Sequence, residues 1–320
     1  MNAPIKLSFV IPCYRSEESL PGVVDEIVST VKSRDGYDYE INLVNDCSPD
    51  GVYNVIKKLA REDSKIHGLS LAKNFGEYSA VMAGMRMSTG DIVIFLDDDG
   101  QTPANELYLL VDALDDDADV VFASYLWPGS GKKHSAFRRF GSKINDIMLE
   151  VMLKKPRNIE ATSYIAAKRY VVDEACRYQN PYPYSTGLFL RSTSKIKNVP
   201  VHHREREIGR SGYTFRKLLA LWFNGFTSFS VVPLRFATGA GCIFSLAGFI
   251  YAIALIIEKM VSPSVPLGYA STMAALLFIG GILMLLIGML GEYIGRIYIS
   301  INNNPQYVVR ETTDDEVRDD

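Results

Sequence analysis

The chain has 320 residues, 48% of them hydrophobic and 22% charged, with a formal net charge of −3 and an isoelectric point near 5.9. This length allows one large or two modest folded units, and the slightly acidic balance gives no basis for binding nucleic acid, so none is expected among the partners. The four cysteines (13, 47, 176 and 242) show no metal-ligand spacing and read as reduced, structural residues.

The opening stretch "MNAPIKLSFVIP" lacks a basic n-region and a long apolar h-region, so no cleavable signal is expected there. Leu7 to Ile11 is a short apolar run ending at Pro12 and reads as a first strand. Leu20, Val23, Val24, Ile27, Val28 and Val31 then recur at the spacing of one helix face. "YEINLVND" reads as a second strand, Val52, Val55, Ile56 and Leu59 mark a second helix, and "KIHGLSL" reads as a third strand. After "AKNFGE" come a helix near Tyr78 to Met87 and a strand from Ile92 to Leu96, which ends on "DDDGQTP". Leu107, Leu110, Val111 and Leu114 give another helix, and "ADVVFAS" another strand. Such alternation predicts an α/β domain with a mostly parallel sheet covered on both faces. In that architecture ligands bind beyond the carboxyl ends of the strands, where the polar clusters after Ile11, Val44 and Leu96 fall.

Residues 128 to 235 differ in kind. "PGSGKKHSAFRRFGSK" is a glycine-containing basic loop, and it leads into Ile144, Ile147, Met148, Val151 and Met152 at helical spacing. That helix suits either a core or a membrane interface. Leu218, Leu219, Trp222, Phe223 and Phe226 follow Arg216 and Lys217, a basic amphipathic pattern that favours a helix lying in the interface over 218–229. Phe236 to Ile257 and Leu267 to Gly291 carry no charge, and each exceeds the roughly 20 residues that a helix needs to cross a bilayer core. Two transmembrane helices are therefore expected. Arg204, Arg206, Arg210, Arg216, Lys217 and Arg235 precede the first run and Arg296 follows the second, whereas the connector "EKMVSPSVP" holds only Lys259. This bias puts both termini in the cytoplasm. The end, "ETTDDEVRDD", reads as a frayed acidic tail.

Asp97, Asp98 and Asp99 stand side by side directly after an apolar strand. Like charges this close raise one another's pKa and call for a compensating partner. Two carboxylates separated by one residue can project to the same side of a turn, and such hard oxygen ligands suit Mg²⁺ or Mn²⁺ bridging a diphosphate. Gln101 adds a neutral oxygen. "LDDDAD" at 114–119 is equally acidic but lies in mid-connection, and it reads as solvated surface.

The blocks "VIPCYRSEESL", "LVNDCSPDG", "LAKNFGEYSAVMAGM", "TGDIVIFLDDDGQTP", "VHHREREIGRSGYTF" and "LGEYIGRIY" resemble, in order and spacing, the family-2 glycosyltransferases that load a sugar onto polyprenyl phosphate. That group includes dolichyl-phosphate mannose synthase, bacteriophage-type glucosyltransferases and the undecaprenyl-phosphate aminoarabinose transferase. The resemblance covers nearly the whole chain. It implies a Rossmann-like GT-A nucleotide-sugar domain, with Pro12, Tyr14 and Asp46 lining a base pocket and Lys73, Asn74 and Asp98 also at the nucleotide-sugar. It implies metal-binding roles for Asp97, Asp99 and Gln101 and a catalytic role for Asp97, Asp99 and Arg206. Arg138, Arg139, Arg206, Ser211 and Ser163 fall on the acceptor or phosphate side, where guanidinium groups bind phosphate oxygens in pairs. The arginines are equally suited to anionic lipid headgroups.

Four departures stand out. Tyr14-Arg15-Ser16 replaces the usual Tyr-Asn-Glu, Asp98 and Gly100 alter the metal loop, Gly212 replaces a lysine, and Ser163 stands where several relatives carry an aspartate. The loss of a general base there could cost ~10²–10⁴-fold if the acceptor were a hydroxyl. A phosphate monoester, with a second pKa of roughly 6, is already anionic at neutral pH. Ser163 therefore suits a lipid-phosphate acceptor.

The expected organisation is a catalytic domain over 1–203, a phosphate-closing segment with an interfacial helix over 204–233, a two-helix anchor over 234–300 and a cytoplasmic tail over 301–320. The expected reaction inverts the anomeric carbon of a nucleotide-sugar, taken as a UDP-sugar, on transfer to undecaprenyl phosphate. It would take place at the bacterial inner membrane, for envelope glycan or lipopolysaccharide (O-antigen) modification. A processive polysaccharide synthase is the first rival; its Gln-x-x-Arg-Trp motif is missing, since Trp127 and Trp222 each follow Leu. The second is a catalytically idle membrane scaffold that binds nucleotide-sugars or a flippase partner. "FIGGILMLLIGMLGEYIG" allows close helix packing within or between chains, compatible with a homo-oligomer.

Overall fold

The computed structural model describes residues 3–125, 150, 155–202, 204, 268–302 and 304–316, with scattered positions between 239 and 257. The described strands are β1 (Ile5–Cys13), β2 (Tyr37–Asn45), β3 (Ile66–Leu71), β4 (Ile92–Phe95), β5 (Val120–Ser124), β6 (Ile165–Lys168), β7 (Ile196–Pro200) and β8 (Val309–Thr312). They form one sheet in the order β7-β5-β6-β4-β1-β2-β3-β8. Strands β4, β1, β2 and β3 are mutually parallel, β6 runs antiparallel to β4 and β5, and β8 is antiparallel to β3. The described helices are α1 (Leu20–Lys32), α2 (Val52–Glu62), α3 (Glu77–Met87), α4 (Leu107–Asp112), α5 (Arg169–Cys176), α6 (Ser185–Ser192), α7 (Tyr269–Ile301) and α8 (Thr313–Glu316).

The parallel half follows from the apolar runs. Leu7, Phe9, Val10 and Ile11 are all buried, as expected for a strand covered on both faces. Leu20, Val23, Val24, Ile27 and Val31 of α1 face the same core, with Val28 partly buried at its margin. Gly84 lets α3 press closely on the sheet, because a Cβ there would meet Val10 Cγ1 at 2.6 Å. From β1 the chain winds to β2 and β3 on one side, then crosses to β4 on the other. The carboxyl ends of β1 and β4 therefore flank the switch point, where a crevice opens in sheets of this kind.

Three expectations change. β1 does not stop at Pro12 but continues to Cys13, with Pro12 opposite Val44 near the end of the ladder. Asp119 of the acidic run is buried, accepting from Lys168 Nζ at 3.0 Å and Thr193 Oγ1 at 2.9 Å. The chain end is not frayed over 309–316: β8 covers the free edge of β3, an edge that would otherwise offer unpaired backbone groups. Thr313 Oγ1 accepts the Gly68 amide at 2.8 Å, Lys57 pairs with Glu311 at 3.3 Å, and His67 Nδ1 meets Asp314 at 3.1 Å.

The chain divides into two compact units, residues 1–218 with 304–320, and residues 219–303, so the end drawn as a separate tail belongs to the first unit. In the second unit, α7 is the one helix among the described residues that is long and apolar enough to cross a membrane, over Phe278–Ile299. Its apolar side chains, such as Met284, Ile287 and Leu283, are exposed. In the first expected span the scattered described positions between 239 and 257 are helical, whereas the expected interfacial helices lie outside the described residues apart from Glu150.

Candidate active site

Four loops meet at the carboxyl edge of the parallel strands: Tyr14–Ser16 after β1, Asp46–Asp50 after β2, Ala72–Gly76 after β3 and Asp97–Gln101 after β4. Two non-glycine residues in these loops hold a left-handed backbone, Arg15 at φ 59° and Cys47 at φ 50°. Each costs about 1 kcal/mol, a kind of strain that concentrates at functional edges. Gly100, at φ 73°, closes the turn of the aspartate triplet.

The three aspartates do different work. The Tyr14 amide donates to Asp98 Oδ2 at 2.9 Å, and the Ser19 hydroxyl donates to the Asp98 carbonyl at 2.7 Å. Asp98 therefore ties the end of β4 to the loop after β1. Asp99 Oδ1 accepts the Gln101 amide at 3.0 Å, which shapes the turn locally. Asp97 Oδ2 accepts the Ser163 hydroxyl at 2.7 Å.

Tyr14 is 44% exposed at the mouth of the crevice, with the Arg15 guanidinium 5.5 Å from its ring centre. Pro12, two residues earlier on β1, is half-buried. Asp46 is only 3% exposed, and its two carboxylate oxygens accept the amides of Phe75 at 2.7 Å and Gly76 at 2.9 Å. It is engaged in building the loop after β3, to which Asn74 contributes by donating to the Asp46 carbonyl at 3.2 Å. Lys73 is exposed, with its ammonium over the Phe75 ring.

Burial, followed by the charges of Asp97 and Asp99, pushes the Asp98 carboxyl up to about 6, against the opposing Tyr14 amide and nearby Ser16 hydroxyl. Glu77, on the first turn of α3, is pushed up to about 7 by the surrounding protein and then by Asp97 and Asp98. Its side chain is solvent-exposed. Burial and the charges of Asp97, Asp99 and Glu160 raise the Tyr125 hydroxyl, while a hydrogen bond with Thr102 opposes them. Asp97 and Asp98 thus each raise an acidic neighbour, as closely spaced carboxylates do.

Among the described residues, no three His, Cys, Asp or Glu side chains converge to hold a cation on their own. The donor set still fits Mg²⁺ or Mn²⁺, which take one or two carboxylates and fill the remaining positions with phosphate oxygens and water. Asp97 and Asp99 are such carboxylates, set two residues apart on one turn. Gln101 also has a second engagement: its carbonyl accepts the Arg204 amide at 3.2 Å, and its Nε2 reaches the Arg204 carbonyl at 3.5 Å. Arg204 is clamped in turn by both oxygens of Glu26, at 2.7 and 2.6 Å. The Asp97–Gln101 loop is therefore fastened to Arg204, two residues before Arg206 in the chain. Arg206 and Ser211, with Arg138 and Arg139, lie outside the described residues.

Ser19, Glu77, Tyr125 and Arg204 adjoin the candidate site without being singled out by the sequence as part of it. Glu77 stands within "LAKNFGEYSAVMAGM", yet a lone glutamate at a helix start carries no spacing signal. The other three become visible only through contacts between distant segments.

The model for "Glycosyl transferase family 2" matches residues 8–175, and that for "GtrB C-terminal hairpin" matches 232–297. The chain is 32% identical over 312 residues to the undecaprenyl-phosphate 4-deoxy-4-formamido-L-arabinose transferase of Proteus mirabilis, covering 96% of this chain and 93% of that one. It is 33% identical over 318 residues to the Yersinia pestis protein of the same name, covering 97% and 95%. A mannosyltransferase from Pyrobaculum calidifontis, solved with GDP-Man and Mn²⁺, shares the fold with a TM-score of 0.50 at 18% identity, over 92% of this chain and 85% of that one. The sheet order and these likenesses identify a Rossmann-like GT-A fold with a mostly parallel sheet.

Proposed function

The chain belongs to glycosyl transferase family 2, and from that premise we propose that it transfers one sugar from a nucleotide donor, a UDP-sugar, to undecaprenyl phosphate. The observation that carries the reading is the placement of Asp97 and Asp99 at the carboxyl end of β4, beside the switch point with β1. The full-length likeness to undecaprenyl-phosphate sugar transferases supports the acceptor.

Tyr14 and Pro12 would flank the base, with Asp46, Lys73 and Asn74 shaping the neighbouring loop. Asp97, Asp99 and Gln101 would hold Mg²⁺ or Mn²⁺, which supplies charge neutralisation for a departing nucleoside diphosphate. The acceptor's phosphate oxygen is anionic at neutral pH, so the protein has to position it rather than deprotonate it. In-line attack on the anomeric carbon forms the new carbon–oxygen bond, breaks the bond to the diphosphate and inverts configuration. Arg138, Arg139, Arg206 and Ser211 would take the phosphates. Helix α7 and the apolar run 236–257 would form a two-helix anchor in the inner membrane, with both termini cytoplasmic.

The test is a donor screen with the purified full chain, undecaprenyl phosphate and Mn²⁺, with products identified by mass spectrometry. A single sugar on undecaprenyl phosphate from one UDP donor is expected, and UDP-4-deoxy-4-formamido-L-arabinose belongs in the panel because of the relatives' names. Transfer from GDP-sugars alone would overturn the nucleotide assignment, and the absence of lipid-linked product from any donor would overturn the function.

A further inference from the structure

Ser163 occupies a place the sheet register dictates. In the antiparallel pair of β4 and β6, Phe95 faces Ile165 and Ile94 faces Ala166. Continuing that register two residues beyond the last pair sets Ser163 opposite Asp97. There its hydroxyl donates to Asp97 Oδ2 at 2.7 Å.

The strand extension that carries Ser163 is held on both sides. Thr162 Oγ1 donates to the Ala123 carbonyl at 2.8 Å, and the Ala123 amide donates to the Tyr164 carbonyl at 2.9 Å. The Tyr164 ring is fully buried, with its hydroxyl 3.3 Å from the Pro103 carbonyl. The Glu160 amide donates to Asn198 Oδ1 at 2.7 Å, and Glu160 in turn accepts the Ser124 hydroxyl at 2.5 Å. The serine is thus presented to Asp97 from a fixed backbone.

We propose that Ser163 is a positioning residue for Asp97, aiming its carboxylate at the divalent cation rather than contacting the acceptor. This rests on the cation reading given above. The hydroxyl occupies Oδ2 in one direction and restricts rotation about the carboxylate, which narrows the orientations that Oδ1 can take. A hydrogen bond to an ionised carboxylate is among the stronger neutral-donor interactions in proteins. Serine also adds no negative charge to a crevice that already holds Asp97, Asp98, Asp99 and Glu77. An aspartate at this position would repel Asp97 instead of orienting it.

The experiment compares the full-length wild type with Ser163→Ala and Ser163→Thr. Mn²⁺ binding in the presence of UDP is followed by electron paramagnetic resonance, and transfer to undecaprenyl phosphate is measured across a Mn²⁺ titration. Ser163→Ala should weaken Mn²⁺ binding about tenfold and shift the half-saturating Mn²⁺ concentration equally, with kcat at saturating Mn²⁺ changing much less. Ser163→Thr keeps the hydroxyl and should restore Mn²⁺ binding close to wild type. Unchanged Mn²⁺ binding in Ser163→Ala would overturn the assignment. A rise confined to KM for the lipid phosphate would also overturn it, returning Ser163 to the acceptor side. If the wild type transfers sugar without binding Mn²⁺, the cation reading falls and this role falls with it. If it binds Mn²⁺ with UDP but transfers nothing, the proposed reaction falls while the Ser163–Asp97 coupling is still read from the binding curves.

Discussion

The Tyr14 amide donates to the Asp98 carboxylate at 2.9 Å, joining the loop after β1 to the end of β4 across the switch point of the sheet. The middle aspartate of the triplet thereby becomes a latch, while its two neighbours serve the crevice. Asp98→Ala would remove the acceptor of the Tyr14 amide. It should lower unfolding free energy by about 1–2 kcal/mol and loosen the Tyr14 loop, raising KM for the donor more than it lowers kcat. Asp98→Asn keeps an acceptor oxygen at the same place and should cost less than half as much. Thermal unfolding and donor kinetics on both variants check this, and equal losses in the two would argue against a latch.

Asp99 belongs to the other category. Asp99→Asn preserves the turn acceptor for the Gln101 amide but removes the charge of the carboxylate proposed to hold the cation. Transfer should fall by about 10²-fold or more, with an unchanged melting temperature. Chelation by EDTA should abolish transfer in the wild type, and added Mn²⁺ or Mg²⁺ should restore it. Full activity of Asp99→Asn in purified protein is the result that removes Asp99 from the site.

A source of acid sensitivity lies in Glu40, on β2. Burial alone would raise the Glu40 carboxyl, but hydrogen bonds from Lys6, Ser8 and both the amide and hydroxyl of Thr89 outweigh it and hold Glu40 at about 2. Because the folded pKa lies below the ordinary value of 4.5, the stabilisation is fully present above pH 4.5 and is lost as pH falls towards 2. It amounts to about 3 kcal/mol. The difference in stability between wild type and Glu40→Gln, measured by denaturant unfolding from pH 6 down to pH 3, should shrink as pH falls. A constant difference would mean that Glu40 is not held as an anion.

The returning C-terminus offers a fourth test. Deleting residues 305–320 would uncover the edge of β3, whose Leu69, Ser70 and Leu71 pair with Thr312, Glu311 and Val309. The truncated protein should melt several degrees lower and aggregate faster, because an open edge strand invites pairing with another chain. Gly68→Ala should mimic part of this loss, since its Cβ would lie 2.4 Å from Ile56 Cγ2 and 2.7 Å from Thr313 Cγ2. Light scattering on heating and the midpoint of unfolding report both effects.

Much of the catalytic domain was legible from periodicity, because a parallel sheet buried on both faces leaves near-continuous apolar runs and its helices leave one apolar stripe. Leu20 to Val31 on α1 and Ile92 to Leu96 before the triplet announce themselves this way. The tail did not, because Glu311 and Asp314 look solvated until Lys57 and His67 are brought beside them from more than 240 residues away. Asp119 was misread for the same reason: its partners Lys168 and Thr193 are distant in sequence.

What the sequence by itself determined is the alternation that builds the sheet, the apolar run that becomes α7, and an acidic triplet at a strand's carboxyl end. These depend on neighbours along the chain, and local spacing encodes them. Only the tertiary structure decided which aspartate does what. Asp98 faces Tyr14 across two strands, Asp97 faces Ser163 across an antiparallel pair, and Asp46 is turned into its own fold by two amides. Three adjacent carboxylates are chemically equivalent in a sequence, and they are distinguished only by the donors that other segments bring to them.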